Sequence, residues 1–270
     1  KKDARKMLSI IADTHTHTIA SGHAFSTISE NARAARERGL RFLCMTDHAP
    51  RIPGAPAPVF FMAVKSLLPQ ELDGVYLLRG VEANVVGWNG ELDLPQKLLH
   101  TLEWVIASMH VVVIDPADVQ AHTNAWLQIA KNPEVDVLGH LGDGRYAFEH
   151  EPVVRACAQY GKIIEINNHS FSGRPGSNEN CRDIARLCAR YRVPVVVSTD
   201  AHFWDAVGRF DQSLAMLEEI GFPEELILNA DYDRFAICAF QHGCHKVPQL
   251  ELLQPIAIGS ARNGIERHAL

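Results

Sequence analysis

The chain has 270 residues, of which 47% are hydrophobic and 21% charged, and its formal net charge is −6. This composition predicts a soluble globular protein with a sizeable core, and the acidic balance argues against a surface that binds duplex nucleic acid. No run approaches the roughly 18 apolar residues that span a bilayer, and residues 1–12 lack the features of a signal peptide, so we expect a cytoplasmic protein without membrane contact.

Apolar runs of strand length recur along the chain and alternate with segments of helical spacing. This alternation is typical of βα units around a parallel sheet. The predicted strands cover residues 8–13, 41–46, 75–81, 104–109, 135–139, 162–166 and 194–199. The predicted helices cover residues 29–38, 60–72, 94–102, 115–131, 151–160, 178–191, 207–220 and 232–241.

The number of strands favours an irregular barrel. No eighth strand is evident, so the pattern differs from the regular eightfold barrel. No internal repeat or linker divides the chain, which predicts a single domain over residues 1–270. Within it we expect a barrel over about 8–221 and a C-terminal helical extension over about 222–270, although no periodicity is apparent after Cys244.

Six cysteines are scattered along the chain without C-x-x-C spacing. They are typical of small buried side chains in a reducing compartment, so neither a disulfide framework nor a thiolate zinc site is expected. The six are Cys44, Cys157, Cys181, Cys188, Cys238 and Cys244.

Two histidines, His15 and His17, stand where the first predicted strand ends, and His23 follows one short loop later. Alternate side chains of a strand point the same way, so the first two imidazoles share a face. Such a pair can form half of a metal site, or it can be ordinary polar residues at a strand end. The remaining strand ends decide between these interpretations.

Each predicted strand ends in a polar residue that can bind metal or donate hydrogen bonds. In parallel barrels these ends meet on one face, where sites are assembled from several strands. Zinc usually takes about four ligands, so nine ligands with one bridging carboxylate could serve three ions. Seven imidazoles and two carboxylates favour zinc, with manganese or iron as alternatives. The nine residues are His15, His17, His23, His48, Glu82, His110, His140, Asp200 and His202.

The motifs at these strand ends resemble the PHP (polymerase and histidinol phosphatase) superfamily. They read H-x-H, T-D-H, G-V-E-A-N, two single histidines and D-A-H along the chain. The strings H-A-F-S-T-I-S, L-R-G-V-E-A-N, E-I-N-N and N-C-R are similar to stand-alone bacterial phosphatases of the YcdX type. The resemblance extends over about residues 10–221.

This resemblance implies an α/β fold, a distorted TIM-like (β/α)7 barrel, with a trinuclear metal site and phosphoesterase activity. Glu82 is implied as the carboxylate that bridges two ions, and Glu82 and Asp200 are the expected catalytic residues. The implied ligands are His15, His17, Glu82 and Asp200 for the first ion, Glu82, His110 and His140 for the second, and His23, His48 and His202 for the third.

The expected activity is hydrolysis of a small phosphomonoester by a metal-bound hydroxide, without a covalent phosphoenzyme. Asp200 is also a candidate for steering the proton of the attacking water. Hydrolysis of phosphodiesters or of nucleotide 3′ ends is a second interpretation, since a short nucleotide substrate is compatible with the composition. A third is a non-catalytic PHP module that binds metal for stability or partner assembly. A homo-oligomer is compatible with the sequence.

Four residues near the predicted site face are candidates for substrate binding: Arg145, Arg174, Arg182 and Asn168. Arginines can hold phosphate through paired donors, but they can equally be solvated surface residues. Asn168 can bind substrate or cap a loop.

Further candidates lie close to these positions. Asp47, next to His48, is a candidate for fixing an imidazole tautomer, His169 is a weaker acid–base candidate, and Arg79 can form a core salt bridge or contact substrate. The run L-G-D-G-R after His140 departs from the proline common at this point in PHP sequences, so we expect the loop over the second ion, and with it the substrate, to differ from those of such sequences.

Overall fold

The structure, a computed structural model, describes residues 8–243, with side chains to residue 239. The strands are β1 (Ala12–Thr16), β2 (Phe42–Met45), β3 (Glu71–Leu72), β4 (Val75–Asn84), β5 (Trp104–Ser108), β6 (Val137–Leu138), β7 (Ile163–Asn167) and β8 (Val195–Ser198). The α-helices are α1 (Ile28–Glu37), α2 (Pro58–Leu67), α3 (Gln96–Leu99), α4 (Val119–Lys131), α5 (His150–Tyr160), α6 (Ser170–Gly173), α7 (Ser177–Tyr191), α8 (Asp211–Glu219) and α9 (Tyr232–Gly243).

Seven of the strands form a parallel sheet in the order β1-β2-β4-β5-β6-β7-β8. The two ends of this sheet approach each other where Thr16 forms a parallel bridge with Ala201, and the amide of His17 donates to the carbonyl of Ala201 at 2.9 Å. The sheet is therefore a nearly closed barrel surrounded by helices. The predicted distorted (β/α)7 barrel is confirmed.

At the end of the barrel away from the strand-end polar residues, alternate residues of the strands fill the interior. Phe42, Trp104 and Ile106 belong to one buried apolar cluster there. Phe235 of α9 packs on this cluster, with its ring centroid 5.1 Å from that of Phe42 and 5.8 Å from that of Trp104. The helix thus covers the floor of the barrel and leaves the opposite end open for a site.

The segment after residue 221 is also part of the barrel wall. The buried amide of Asn229 donates to the carbonyls of Ala12 and Val197 and accepts from the amide of Val197. These bonds join β1 to β8 where their backbones do not pair directly. The part of the predicted extension from residue 244 onward, with Cys244, lies outside the described residues.

Two predicted boundaries differ from the structure for reasons of local chemistry. The helix predicted over 60–72 ends at Leu67, because Pro69 disfavours helical backbone at the preceding Leu68, which is extended. Residues 71–72 instead form β3, which Asp73 and Gly74, with φ values of 55° and 81°, join to β4 in a tight turn. An Asp-Gly pair is a common hairpin signal. The helix predicted to start at Ser29 begins one residue earlier, at Ile28, behind a capping box between Thr27 and Glu30.

The five described cysteines are buried and are not joined to one another. None of the helices among residues 8–243 is long and apolar enough to cross a membrane.

Candidate metal centre

Glu82 lies at the middle of the strand-end cluster, near the end of β4, and is completely buried. Its Oε2 is 2.6 Å from Nδ1 of His48 and 3.4 Å from Nε2 of His15. Its Oε1 is 2.9 Å from Nε2 of His140 and 3.3 Å from Nε2 of His110. One carboxylate therefore faces imidazoles from four different segments, which is the arrangement that a bridging ligand requires.

Asp200 approaches the cluster from the end of β8. Its Oδ1 is 3.0 Å from Nε2 of His17 and 3.6 Å from Nε2 of His15. Asp200 has a φ of 56° and His140 a φ of 31°, and both are unusual for residues with a Cβ. Backbone strain of this kind is found where a fold must hold a side chain in one functional orientation.

The remaining histidines form the more open side of the cluster. Nε2 of His202 is 3.1 Å from Nε2 of His23, and the ring of His202 lies 4.3 Å from that of His17, centroid to centroid. The ring of His23 stacks on that of His48 at 4.9 Å. The structure thus brings all nine predicted ligands together, and their assignment to particular ions stays a prediction.

Several buried polar atoms at the centre have no hydrogen-bond partner among the described residues: Nε2 of His15, Nδ1 of His48 and Oε2 of Glu82. The last two are 2.6 Å apart but are not aligned for a hydrogen bond. Buried polar atoms without partners are costly, and cations satisfy such converging donor atoms. Imidazole and carboxylate ligands suit zinc, manganese or iron, so these residues fit divalent ions.

Three groups of donor atoms are each close enough to share an ion. They are His15, His17 and Glu82; His48, Glu82 and His110; and His17, His48 and His202. The groups overlap the implied ligand sets without matching them, because His48 approaches Glu82 as well as the outer histidines. The number of ions stays a prediction.

The charges of the cluster also favour a cation. Burial raises the pKa of Glu82, but the neighbouring His15, His110 and His48 outweigh it and hold this pKa well below its usual range. Burial lowers the pKa of His15, but Glu165, Glu82 and Asp200 outweigh it and raise this pKa well above the ordinary value. The carboxylates around His15 therefore attract positive charge, which a proton or a metal ion can supply.

Glu165 is a site residue that the sequence did not single out. It lies inside β7, with Oε1 2.6 Å from Nδ1 of His15 and Oε2 accepting from the amide of His140 at 2.6 Å. The hydroxyl of Ser198 donates to the same Oε1 at 2.6 Å. Its signal is the alternation of β7, because Glu165 follows the interior Ile163 by two residues and so faces the barrel lumen.

Other side chains contact the Nδ1 atoms of two of these histidines. Oδ1 of Asn84 is 2.8 Å from Nδ1 of His110, and Oγ of Ser21 is 3.1 Å from Nδ1 of His17. The hydroxyl of Ser21 donates to Asp47 at 2.7 Å. Asp47 therefore reaches the imidazole of His17 through Ser21, whose Oγ also accepts from the amide of His48 at 3.1 Å.

Among the predicted substrate contacts, the structure brings Arg174 to the cluster. Its guanidinium donates to Oδ2 of Asp200 at 2.8 Å and to Oγ of Ser170 at 3.2 Å. It lines a cavity of about 550 Å³ beside the cluster. The other described lining residues are His23, His48, His110, His169, Thr199, Asp200, His202, Phe203 and Ala206.

The other predicted substrate contacts have partners elsewhere. Arg145 pairs with Asp143 at 2.6 Å, and Arg182 pairs with Glu219 at 2.6 Å. Oδ1 of Asn168 accepts from the amides of Gln212 and Ser213 at the start of α8, which is the capping alternative. None of these three belongs to the described lining of the cavity. Separately, Arg79 forms a buried ion pair with Glu103, as its salt-bridge interpretation predicts.

Comparison with known proteins places the chain in a family. The PHP domain matches residues 13–169. A probable phosphatase of Caldanaerobacter subterraneus subsp. tengcongensis is 47% identical over 232 residues, which is 85% of this chain and 91% of that protein. A probable phosphatase of Acetivibrio thermocellus is 43% identical over 228 residues, which is 84% of this chain and 94% of that protein.

The fold comparison agrees with this. The histidinol phosphate phosphatase of Lactococcus lactis, solved with zinc, L-histidinol and phosphate, superposes with a TM-score of 0.58 at 19% identity, over 78% of this chain and 94% of that one. The resemblance seen in the sequence motifs is confirmed. The chain belongs to the PHP domain family and is a phosphoric ester hydrolase.

Proposed function

We propose that this protein is a phosphatase that hydrolyses a small phosphomonoester at a site of three divalent ions, preferably zinc. The observation that supports this most is the convergence of nine imidazole and carboxylate side chains, Glu82 among them, with buried donor atoms that have no hydrogen-bond partner in the described part of the chain. The phosphatase names of the relatives support the reaction class. The zinc in the Lactococcus lactis structure supports the choice of metal.

The chain's own residues would then bind and orient the phosphoryl group. When bound, the ions supply positive charge for the phosphoryl oxygens and lower the pKa of coordinated water. Arg174 stands next to them with its guanidinium on the cavity wall, held in place by Asp200 and Ser170. A fixed guanidinium can donate to phosphoryl oxygens without first losing side-chain entropy.

Asp200 would remain a carboxylate during this reaction. Burial raises its pKa, but His15 and Arg174 outweigh it and hold this pKa well below its usual range. Its position between His17 and Arg174 fits a ligand that also accepts a hydrogen bond from an attacking water. The cytoplasmic location and the homo-oligomeric state stay predictions of the sequence.

Phosphate release from monoesters by the metal-loaded full chain tests the proposal. Arg174→Gln should lower kcat/KM by about 100-fold or more, as expected for a preorganised donor to developing charge. Arg182→Gln is the matched control, since it removes an arginine that pairs with Glu219 outside the cavity, and its kcat/KM should stay near the wild-type value.

Two other outcomes would replace the proposal. Cleavage of phosphodiesters or oligonucleotide 3′ ends without monoester turnover would assign the second interpretation. If the metal-replete protein hydrolyses neither class of ester while chelation lowers its Tm, the chain is a metal-stabilised module.

A further inference from the structure

Two segments on the open side of the metal centre carry a histidine of the cluster followed by an exposed aromatic residue. Phe203 follows His202 directly and is 46% exposed, and Phe25 lies two residues after His23 and is 74% exposed. The amide of Phe25 donates to the carbonyl of His202 at 2.8 Å. These segments therefore form one rim beside the outer histidines.

The rim is held by hydrogen bonds on both sides. The amide of Trp204 donates to Oγ of Ser26 at 2.7 Å, and the amide of Ile19 donates to the carbonyl of Ser26 at 2.9 Å. The ring of Trp204 packs against that of Phe203 with centroids 5.4 Å apart. The backbone thus holds Phe203 partly in solvent, where its ring does not contribute the hydrophobic stabilisation that burial in the core would give.

Phe203 also lines the cavity that contains Arg174 and the outer histidines. The cavity volume of about 550 Å³ falls within the range of small-molecule sites, so a leaving group fits beside the phosphoryl group. The part of the described wall that is not metal ligand consists of Phe203, Ala206, Thr199, His169 and Arg174. The nature of this wall decides which leaving groups it can hold.

Few polar groups of this wall are available to a leaving group. Thr199 donates its hydroxyl to Oδ2 of Asp13 at 2.5 Å, and the guanidinium of Arg174, held by Asp200 and Ser170, is assigned to the phosphoryl end, so His169 is the polar side chain that remains. A sugar or polyol would bury hydroxyls against a wall with few donors and acceptors available, which is costly. An aromatic ring would instead gain an offset-stacked or edge-to-face contact with Phe203.

We propose that Phe203 forms a leaving-group subsite that selects phosphomonoesters whose alcohol carries a flat aromatic ring. This selection rests on the proposed phosphatase function, because it assigns the part of the substrate that lies away from the ions. Arg174 and the histidine cluster hold the phosphoryl end, and Phe203 contacts the ring at the mouth of the same cavity.

Benzyl, cyclohexylmethyl and ethyl phosphate test the subsite. All three are esters of primary alcohols, so they differ mainly in the group that would meet Phe203. The wild-type kcat/KM should be about tenfold higher for benzyl than for ethyl phosphate, the effect of one well-placed aromatic contact. Cyclohexylmethyl phosphate, with a ring of similar size that is not flat, should fall between them.

Variants identify the residue. In Phe203→Ala the ratio of benzyl to ethyl kcat/KM should fall towards one, and Phe203→Tyr, which keeps the ring, should restore it. Phe25→Ala is the matched control, because it removes an exposed phenylalanine of the same rim that is not part of the cavity lining. Its ratio should equal that of the wild type.

Binding of benzylphosphonate and ethylphosphonate to the metal-loaded protein, measured by calorimetry, separates the two proposals. Tighter binding of the benzyl compound that is lost in Phe203→Ala, without turnover of any monoester, would overturn the phosphatase proposal and support the subsite. Turnover with equal kcat/KM for the benzyl and ethyl esters, or an unchanged ratio in Phe203→Ala, would overturn the subsite alone.

Discussion

Glu165 and His15 are joined by a buried contact of 2.6 Å between Oε1 and Nδ1. Because a carboxylate oxygen can only accept, Nδ1 of His15 carries the proton and donates it to Glu165. The unprotonated Nε2 is then directed at Glu82 and Asp200. The other oxygen of Glu165 holds the amide of His140, a second residue of the centre. One carboxylate therefore orients two predicted ligands, one within β1 and one in the loop after β6.

Replacing Glu165 with glutamine should weaken metal binding about 10- to 100-fold, the usual effect of losing a carboxylate behind a ligating histidine. The glutamine keeps the side-chain size but supplies only one acceptor oxygen, where the carboxylate uses one oxygen for His15 and the other for the amide of His140, and it removes the charge that favours the Nδ1 proton. Competition with a fluorescent chelator measures the change without reference to activity.

Ser198→Ala is the control for this change, because it removes a hydroxyl from the same carboxylate and leaves His15 and His140 untouched. It should change metal affinity less than threefold, well below the effect of losing the carboxylate itself. Wild-type affinity in Glu165→Gln would contradict the orienting role.

The tautomer of His17 is set in a similar way by Ser21. A serine hydroxyl has one proton, and this one goes to Asp47, so Ser21 accepts from Nδ1 of His17. Ser21→Ala should therefore lower metal affinity about tenfold, as for other partners of ligating histidines. Ser213→Ala, which removes an equally buried hydroxyl bonded to the carbonyl of Ile166, should leave the affinity unchanged. Equal losses in both variants would indicate a general packing effect.

The strand-end rule explains how much of the site the sequence could predict. His15, Glu82 and Asp200 stand where apolar runs stop, and parallel strands must bring those ends together. Glu165 was missed because it lies inside a strand, where its role depends on which face turns inward. Arg182 was proposed for substrate binding because its helix face could not be read from the chain, and the structure pairs it with Glu219.

Asn168 should act on stability and not on substrate binding. Its Oδ1 accepts from the first amides of α8, so Asn168→Ala should cost about 1 kcal/mol in the free energy of unfolding, the usual value of a lost helix cap. Asn168→Asp keeps the acceptor and places a negative charge at a helix N-terminus, so it should retain that stability. Urea unfolding and KM are measured together. A raised KM with unchanged stability would restore the substrate-binding interpretation.

Stability of the metal-free protein should fall in acid because of His140. Burial, followed by the charge of Arg174, lowers the pKa of His140 to about 4, so the unfolded chain binds its proton first. This contribution is complete above the ordinary histidine pKa and is lost as the pH falls from about 6.5 to about 4, a change of roughly 3 kcal/mol. Urea midpoints of the chelated protein measure it. His140→Gln should show a shallower decline over this window, and parallel curves would refute the assignment.

Glu82 is the residue whose loss should affect the centre most. Both of its oxygens face imidazoles, Oε2 that of His48 and Oε1 that of His140. Glu82→Gln removes the negative charge and replaces one of these two oxygens by an NH2 group, which cannot bind a metal ion. Removing a ligand that two ions share should reduce activity more than removing a residue that only hydrogen-bonds a ligand. We therefore expect kcat/KM to fall by more than about 100-fold and the bound metal per chain to decrease. Elemental analysis of the dialysed protein reports the metal content.

His100→Gln, at a largely exposed imidazole that pairs with Glu134, is the matched control and should keep both values. If Glu82→Gln keeps the wild-type metal content and most of its activity, the ions do not share this carboxylate, and a bridged centre is refuted.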